Sequence, residues 1–163
     1  GCPGFESLHR HTMLKKQIFY NFFIKLYCWF KLPMISYCRP KIVSSNDKVV
    51  KILIPLTRRT KNHLNSMYFG ALSIGADFTA GLLVLNIINK NNSKAKLIFK
   101  DFNADFVKRA TKSVLFVCED FDIIENNVLK NINNKKRTSF KVSVKAYVDN
   151  DLIAKFSLNT SIK

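Results

Sequence analysis

The strongest constraint on the fold of this chain is an apolar segment, residues 67–88, that contains a single charged residue, Asp77. Its length and composition predict a long helix. The segment is also rich in small residues, which are Gly70, Ala71, Ser73, Gly75, Ala76, Ala80 and Gly81. A helix with small side chains can lie very close to a flat layer, so the segment predicts a central helix packed on a sheet. Ser66 or Asn65 is the predicted N-cap.

Asp77 is the unusual residue of this helix. A carboxylate that is buried without a partner in an apolar segment costs several kcal/mol of stability. One interpretation is that Asp77 is hydrogen-bonded inside the fold and ties the helix to the sheet. The other is that it faces a cleft and is used there. The sequence leaves both open.

Alternating apolar and polar residues predict a sheet around this helix. The predicted strands are 48–57, 94–105, 111–120, 139–148 and 152–159, with a short helix at 122–131. The last two strands are predicted to form a hairpin around a tight turn at residues 149–151. An antiparallel sheet with one apolar face must be covered, and the long helix is the cover. The predicted class is therefore α+β, with a five-stranded antiparallel sheet wrapped around a central helix and an additional N-terminal helix.

The N-terminal part of the chain is aromatic. Residues 1–12 are interpreted as a leader or as residues added by cloning, and residues 13–163 as a single domain with a core at 48–163. An amphipathic helix is predicted at about 14–31, followed by a loop between Pro33 and Pro40. The aromatic run lacks a small-residue cleavage site and is shorter than the ~20 residues of a membrane span. We expect the aromatic face of this helix to pack on the domain or to line a pocket, and the alternative is that the helix lies on a membrane surface.

Charge and cysteine content limit the function classes. The chain of 163 residues has a formal net charge of +16, which attracts anionic partners, although solvating lysines explain it equally well. The four cysteines, at positions 2, 28, 38 and 118, form no C-x-x-C pair and are interpreted as idle thiols in a reducing compartment. The predicted location is cytoplasmic, and no metal site or cofactor is predicted. Nucleic-acid binding rests on net charge alone.

The residues around the start of the central helix carry a family resemblance. The order of elements resembles the hotdog fold of acyl thioesterases, in particular the PaaI-like branch and its thioesterase-related DUF4442 domains. The PaaI-like pattern Asn-x-x-Gly-x-x-His-Gly-Gly, followed by an acid, is matched by Asn62, Gly70 and Asp77. The chain departs from it at Asn65, Tyr68 and Phe69. The DUF4442 form of this turn is matched by Arg59, Asn62, Ser66, Phe69, Gly70 and Leu72.

The resemblance implies a thioesterase acting on acyl-CoA or an acyl-carrier protein at the interface of a homodimer or dimer of dimers. It assigns Asp77 and Asn62 to catalysis, and the backbone N–H groups of Phe69 and Gly70 to the substrate carbonyl. The residues expected to bind substrate are Tyr68 and Ser66, with Arg58, Arg59 and Lys61 near the phosphates or the carrier. Because Asp77 lies about 12 Å along the helix from Phe69, one subunit cannot supply both groups to one carbonyl.

Other interpretations compete with these roles. Asn62 is equally well explained as a turn residue, Tyr68 as core packing, and the basic residues as a solvated turn. The loss of the His and Gly positions at Tyr68 and Phe69 favours a second function, a non-catalytic hotdog module. Such a module would bind acyl-CoA, a fatty acyl chain or a protein partner.

Overall fold

The computed structural model describes Ile24 and residues 26–46 and 48–163. The described residues up to Tyr37 form one compact unit, and Cys38–Lys163 form a second. In the first unit, residues 26–31 are helical, as predicted, and helix α1 follows at Pro33–Tyr37. The remainder of the predicted N-terminal helix, residues 14–23 and 25, lies outside the described residues. The loop predicted after Pro33 is wrong, because proline is tolerated in the first turn of a helix, where its missing N–H donor is not needed.

The second unit is built on one antiparallel sheet with strand order β1-β2-β4-β5-β6-β3. The strands are β1 Lys41–Ser45, β2 Val50–Ile54, β3 Leu97–Phe106, β4 Val114–Cys118, β5 Thr138–Val148 and β6 Asp151–Ile162. Helix α2, Phe69–Lys90, is the central helix, and helix α3, Phe121–Asn134, connects β4 to β5. The α+β class with a long helix covered by an antiparallel sheet is therefore confirmed.

The sheet has six strands, one more than the sequence predicted. The sixth strand, β1, pairs with β2 from Lys41 opposite Leu53 to Ser45 opposite Val50. Its sequence KIVSS has only two apolar residues, and none of its side chains is fully buried. An edge strand is held by backbone hydrogen bonds on one side, so its side chains need not show the alternation that reveals buried strands.

The predicted hairpin is confirmed as β5 and β6, which pair from Thr138 opposite Ile162 to Val148 opposite Asp151. Asp149 in the turn has a φ of 54°, a left-handed conformation that Asp tolerates better than most residues. Along β5 the residues alternate between buried and exposed, as a strand with one covered face requires.

The central helix lies on the apolar face of the sheet, and its small residues permit the contact. A Cβ atom added to Gly75 would lie 2.4 Å from the ring of Phe116, which is fully buried on β4. Among the described residues this helix is long and apolar enough to cross a membrane by length and composition, but 67% of its apolar stretch is buried inside the fold. It is therefore the core helix of the domain.

Candidate functional site

Two backbone hydrogen bonds fix the loop before the central helix: one joins its two ends, and the other ties its second end to another segment. The N–H of Tyr68 donates to the carbonyl of Thr60 at 2.8 Å, and the N–H of Met67 donates to the carbonyl of Ala110 at 2.8 Å. The loop therefore folds back on itself and is also tied to the segment that follows β3. Ala110 carries no chemical signal in the sequence, because its contribution is a backbone carbonyl brought close by the fold.

Asn62 builds this loop with its side chain. Its Oδ1 accepts hydrogen bonds from the N–H of Leu64 at 2.9 Å and from the N–H and the hydroxyl of Ser66, both at 3.2 Å. This is the arrangement in which an Asn side chain replaces a backbone acceptor in a turn. Ser66 is buried and its hydroxyl is used inside the turn. Both residues thus shape the loop that leads to the helix.

The helix begins at Phe69, with Tyr68 at the N-cap in an extended conformation and without a side-chain capping bond. The predicted caps, Ser66 and Asn65, are therefore wrong. Leu72 is the first helical residue whose N–H is bonded, to the carbonyl of Tyr68 at 3.1 Å. The N–H groups of Phe69, Gly70 and Ala71 have no acceptor within the described part of the chain. A helix start with unpaired donors is an electropositive site for an oxygen anion.

Two aromatic rings stand at this helix start. Tyr68 and Phe69 are both about half exposed, and their ring centroids are 4.7 Å apart. A Cβ atom at Gly70 would lie 2.6 Å from the ring of Tyr68, so this ring covers the backbone of Gly70. The interpretation of Tyr68 as core packing is therefore wrong. Both rings are available to a substrate or to a second protein surface.

Asp77 lies on the side of the helix that the sheet leaves uncovered. Residues on this exposed stripe are only partly buried or exposed, and they are Gly70, Ser73, Ile74, Asp77, Gly81 and Leu85. Burial raises the pKa of the Asp77 carboxyl above its ordinary value. Among the residues that the structure describes, none donates a hydrogen bond to Asp77 or pairs with it. The interpretation of Asp77 as a hydrogen-bonded tie to the sheet is therefore wrong.

The exposed stripe is bordered by β3. A Cβ atom at Gly81 would lie 3.8 Å from the ring of Phe99 in the first half of β3, whereas Ala110, after the end of β3, reaches the helix start. β3 therefore runs antiparallel to the central helix. Phe102 and Phe106 on this strand are exposed, and their rings lie 5.7 Å and 6.0 Å from that of Phe156. The stripe that carries Asp77 and the exposed rings of this neighbouring strand are therefore apolar surfaces of the fold, which the sequence did not reveal.

Basic side chains surround the loop before the helix. Arg58, Arg59 and Lys61 are exposed, and Lys61 Nζ donates to Asn65 Oδ1 at 3.2 Å. Arg109 is exposed next to Ala110, and so lies near the helix start through the bond from Met67. These side chains give the mouth of the site a positive charge.

The cysteine thiols of the described residues are buried. Burial raises the pKa of the Cys118 thiol to about 12, which keeps it protonated and unreactive. Across residues 24–163, apart from the two positions that are not described, no three side chains of His, Cys, Asp or Glu come together as a metal site would require.

Comparison with known proteins identifies the family of this chain. The sequence profile described as a domain of unknown function, DUF4442, matches residues 21–162. The chain belongs to the DUF4442 family. No curated protein matches it significantly in sequence. The DUF4442 family predicted from the residues around the central helix is therefore confirmed.

Solved structures are similar to this DUF4442 chain at low identity. A candidate thioesterase from Shewanella oneidensis is 13% identical with a TM-score of 0.72, covering 86% of this chain and 95% of its own. A protein of unknown function from Chlorobaculum tepidum is 15% identical with a TM-score of 0.77, covering 88% and 93%. A thioesterase from Haemophilus influenzae is 12% identical with a TM-score of 0.60, covering 86% and 87%. The predicted hotdog fold is confirmed.

Proposed function

We propose that this DUF4442 protein hydrolyses an acyl thioester of coenzyme A or of an acyl-carrier protein, in a site formed between two copies of the chain. The observation that carries the proposal is the state of Asp77. Its carboxylate is half-buried on an uncovered apolar face, has a raised pKa and lacks a partner within the described residues. Partial burial of an ionised carboxylate lowers the stability of the fold, and here it makes no hydrogen bond within the described residues that would offset this loss. A raised pKa also makes the carboxylate a stronger base.

The electrophilic half of the site is the start of the central helix. The N–H groups of Phe69, Gly70 and Ala71, in its first turn, have no acceptor among the described residues. Donors aimed at the oxygen that becomes negative in the transition state are typically worth about 3 kcal/mol each. Asp77 follows Phe69 by eight residues, or about 12 Å along the axis, so these donors and Asp77 of the same helix cannot act on one carbonyl.

A second copy of the chain solves this problem of distance. β3 pairs only with β6 in the described sheet, so its other edge offers unpaired backbone groups beside the exposed stripe. Pairing this edge with its counterpart in another subunit would cover Phe102 and Phe106. It would also bring two antiparallel helices together, so that the start of one lies near Asp77 of the other.

The proposed reaction proceeds by attack of water on the thioester, cleavage of the carbon–sulfur bond and transfer of a proton to the leaving thiolate. Asp77 takes a proton from water while the water oxygen bonds to the carbonyl carbon of the thioester. The N–H groups of Phe69 and Gly70 from the other subunit donate to the carbonyl oxygen as it becomes negative. The carbon–sulfur bond then breaks with its electron pair leaving on sulfur. The proton held by Asp77 passes to this thiolate, giving a carboxylic acid and a thiol.

The remaining predicted residues fit supporting roles in this proposal. Asn62 and Ser66 hold the loop that presents the helix start, and Tyr68 borders the carbonyl position. Arg58, Arg59 and Lys61 would meet the phosphates of coenzyme A or the acidic surface of a carrier protein. Arg109 joins this basic group.

The decisive test replaces Asp77 by Asn and measures release of the free thiol from acyl-CoA substrates of different chain length. We expect Asp77→Asn to lower the rate by about 10²–10⁴-fold, the usual contribution of a general base. The matched control is Asp122→Asn, on an exposed position of helix α3. Full activity of Asp77→Asn would remove Asp77 from the mechanism.

The alternative function is a non-catalytic module that binds an acyl chain, acyl-CoA or a protein. It is favoured by the ring of Tyr68, which covers Gly70 where the substrate carbonyl would approach. A thermal-shift titration with acyl-CoA, combined with the thiol-release assay, separates the two functions. Stabilisation without thiol release would support binding alone and contradict hydrolysis.

A further inference from the structure

Ile24 and residues 26–37, the described part of the first unit, include an unusual number of exposed large apolar side chains. Trp29 is 69% exposed, Phe30 71% and Met34 68%. The other exposed members of this group are Leu26, Tyr27, Leu32 and Tyr37. Single exposed apolar residues are common on proteins, but a cluster of this density within one short segment marks an interaction surface.

The helical part of this segment has a broad apolar face. At about 100° per residue, Leu26, Tyr27, Trp29 and Phe30 occupy an arc of about 160° on residues 26–31. Cys28, on the opposite side of the turn, is buried, and Lys31 lies at the margin of the arc. A wide aromatic face with a basic residue at its edge is typical of helices that lie in a membrane interface.

The charge of the N-terminal part of the chain indicates which kind of surface it would bind. From residue 7 to residue 46 the sequence contains no Asp or Glu, whereas its basic residues are Arg10, Lys15, Lys16, Lys25, Lys31, Arg39 and Lys41. Lys31, within the aromatic segment itself, is exposed. An aromatic segment that carries basic residues and no acidic ones matches an anionic lipid surface, which is apolar just below a negatively charged layer. The net charge of +16 adds long-range attraction to the same surface.

We propose that residues 24–37 hold the protein on the surface of an anionic lipid bilayer, with Trp29 and Phe30 at the level of the headgroups. Trp and Tyr prefer this level because one end of each side chain is apolar and the other is polar. The apolar run of the sequence is interrupted at Asn21, Lys25 and Lys31, so it lacks the ~20 consecutive apolar residues needed to span the bilayer, and the proposed position is on the surface. This proposal does not depend on thioester hydrolysis.

Trp29 provides the measurement, because it is the only tryptophan of the chain. The full-length protein is mixed with vesicles of phosphatidylcholine alone or with about 30% phosphatidylserine, and vesicle flotation and tryptophan emission are recorded at low and high salt. We expect flotation with the anionic vesicles, a shift of Trp29 emission to shorter wavelength, and weaker binding at high salt. Equal binding to both vesicle types without salt dependence would overturn the proposal.

A matched pair of variants locates the contact. Phe30→Glu and Ile123→Glu each replace an exposed apolar residue and change the net charge equally, but Ile123 lies on helix α3. We expect Phe30→Glu to weaken vesicle binding by about tenfold or more and Ile123→Glu to bind as the wild type. Equal effects of the two variants would overturn the proposal. So would a Trp29 emission that is already at short wavelength in vesicle-free buffer, since another protein surface would then cover this residue.

Discussion

At the scale of single residues, the protonation of Asp77 links stability to the proposed catalysis. Because burial raises its pKa in the folded state above the ordinary 3.8, the folded protein binds this proton more tightly than the unfolded chain does. Ionisation of Asp77 therefore destabilises the fold. This cost grows as the pH rises from 3.8 through the raised pKa, and it is fully present above that pKa.

This linkage gives a prediction for unfolding. The free energy of unfolding of the wild type, minus that of Asp77→Asn, should fall as the pH rises through this window and stay level above it. Urea titrations of both proteins at a series of pH values measure the difference. A difference that rises with pH would mean that the ionised carboxylate is stabilised in the fold, by a partner that a second subunit supplies.

Phe69 allows a test of a single backbone donor. Phe69→Pro removes the N–H at the first helical position, where proline is accepted, and Tyr68 already has the extended conformation that precedes a proline, with φ −65° and ψ 138°. We expect a fall in kcat of about 10²–10³-fold, as for loss of one oxyanion donor. Phe69→Ala, which keeps the N–H, is the control, and equal activity of the two variants would contradict a role for this donor.

At the scale of elements, the contact between the central helix and β4 depends on the absence of a side chain at Gly75. An added Cβ would meet the buried ring of Phe116 at 2.4 Å, whereas at Gly81 the nearest atoms lie at ordinary contact distance, 3.8 Å. The two glycines therefore form a natural pair for comparison on one helix.

Gly75→Ala should destabilise the protein by about 1–3 kcal/mol, because overpacking of the core outweighs the better helix propensity of alanine. Gly81→Ala should stabilise it by about 0.5–1 kcal/mol, because only the propensity changes. Thermal and urea unfolding of both variants measure these effects. A stabilising Gly75→Ala would show that Phe116 can move away from the helix.

At the scale of the whole molecule, the proposed site needs two copies of the chain, and complementation tests this directly. Phe69→Pro and Asp77→Asn should each be inactive alone. If one site combines the helix start of one subunit with Asp77 of the other, a mixed dimer contains one intact site. Random mixing should then restore about a quarter of the wild-type activity, since half of the dimers are mixed and each has one good site of two.

The complementation is measured by unfolding and refolding the two variants together and assaying thiol release. The control is each variant refolded alone at the same concentration. Activity that stays at the level of the separate variants, in a preparation shown to contain mixed dimers, would place Asp77 and the helix start of one subunit in the same site or remove one of them from catalysis.

The sequence by itself determined the elements with strong periodicity. The apolar run with Asp77 predicted the central helix, and the alternation in residues 139–159 predicted the β5–β6 hairpin, because burial of one face imposes a local pattern. The positions of Asn62 and Asp77 led to the family through a resemblance. The weak edge strand β1 escaped prediction because backbone pairing holds it without a side-chain pattern.

Only the tertiary structure decided what these residues can do. Asn62 is occupied by hydrogen bonds inside its own turn, Ala110 anchors the helix start through a carbonyl, and β3 leaves the side of the helix that carries Asp77 uncovered. Each of these facts depends on contacts between distant parts of the chain. Local sequence determines that this segment forms an apolar helix with one carboxylate, but the path of the sheet around the helix decides which side of it is covered, and hence that Asp77 lies on the uncovered side.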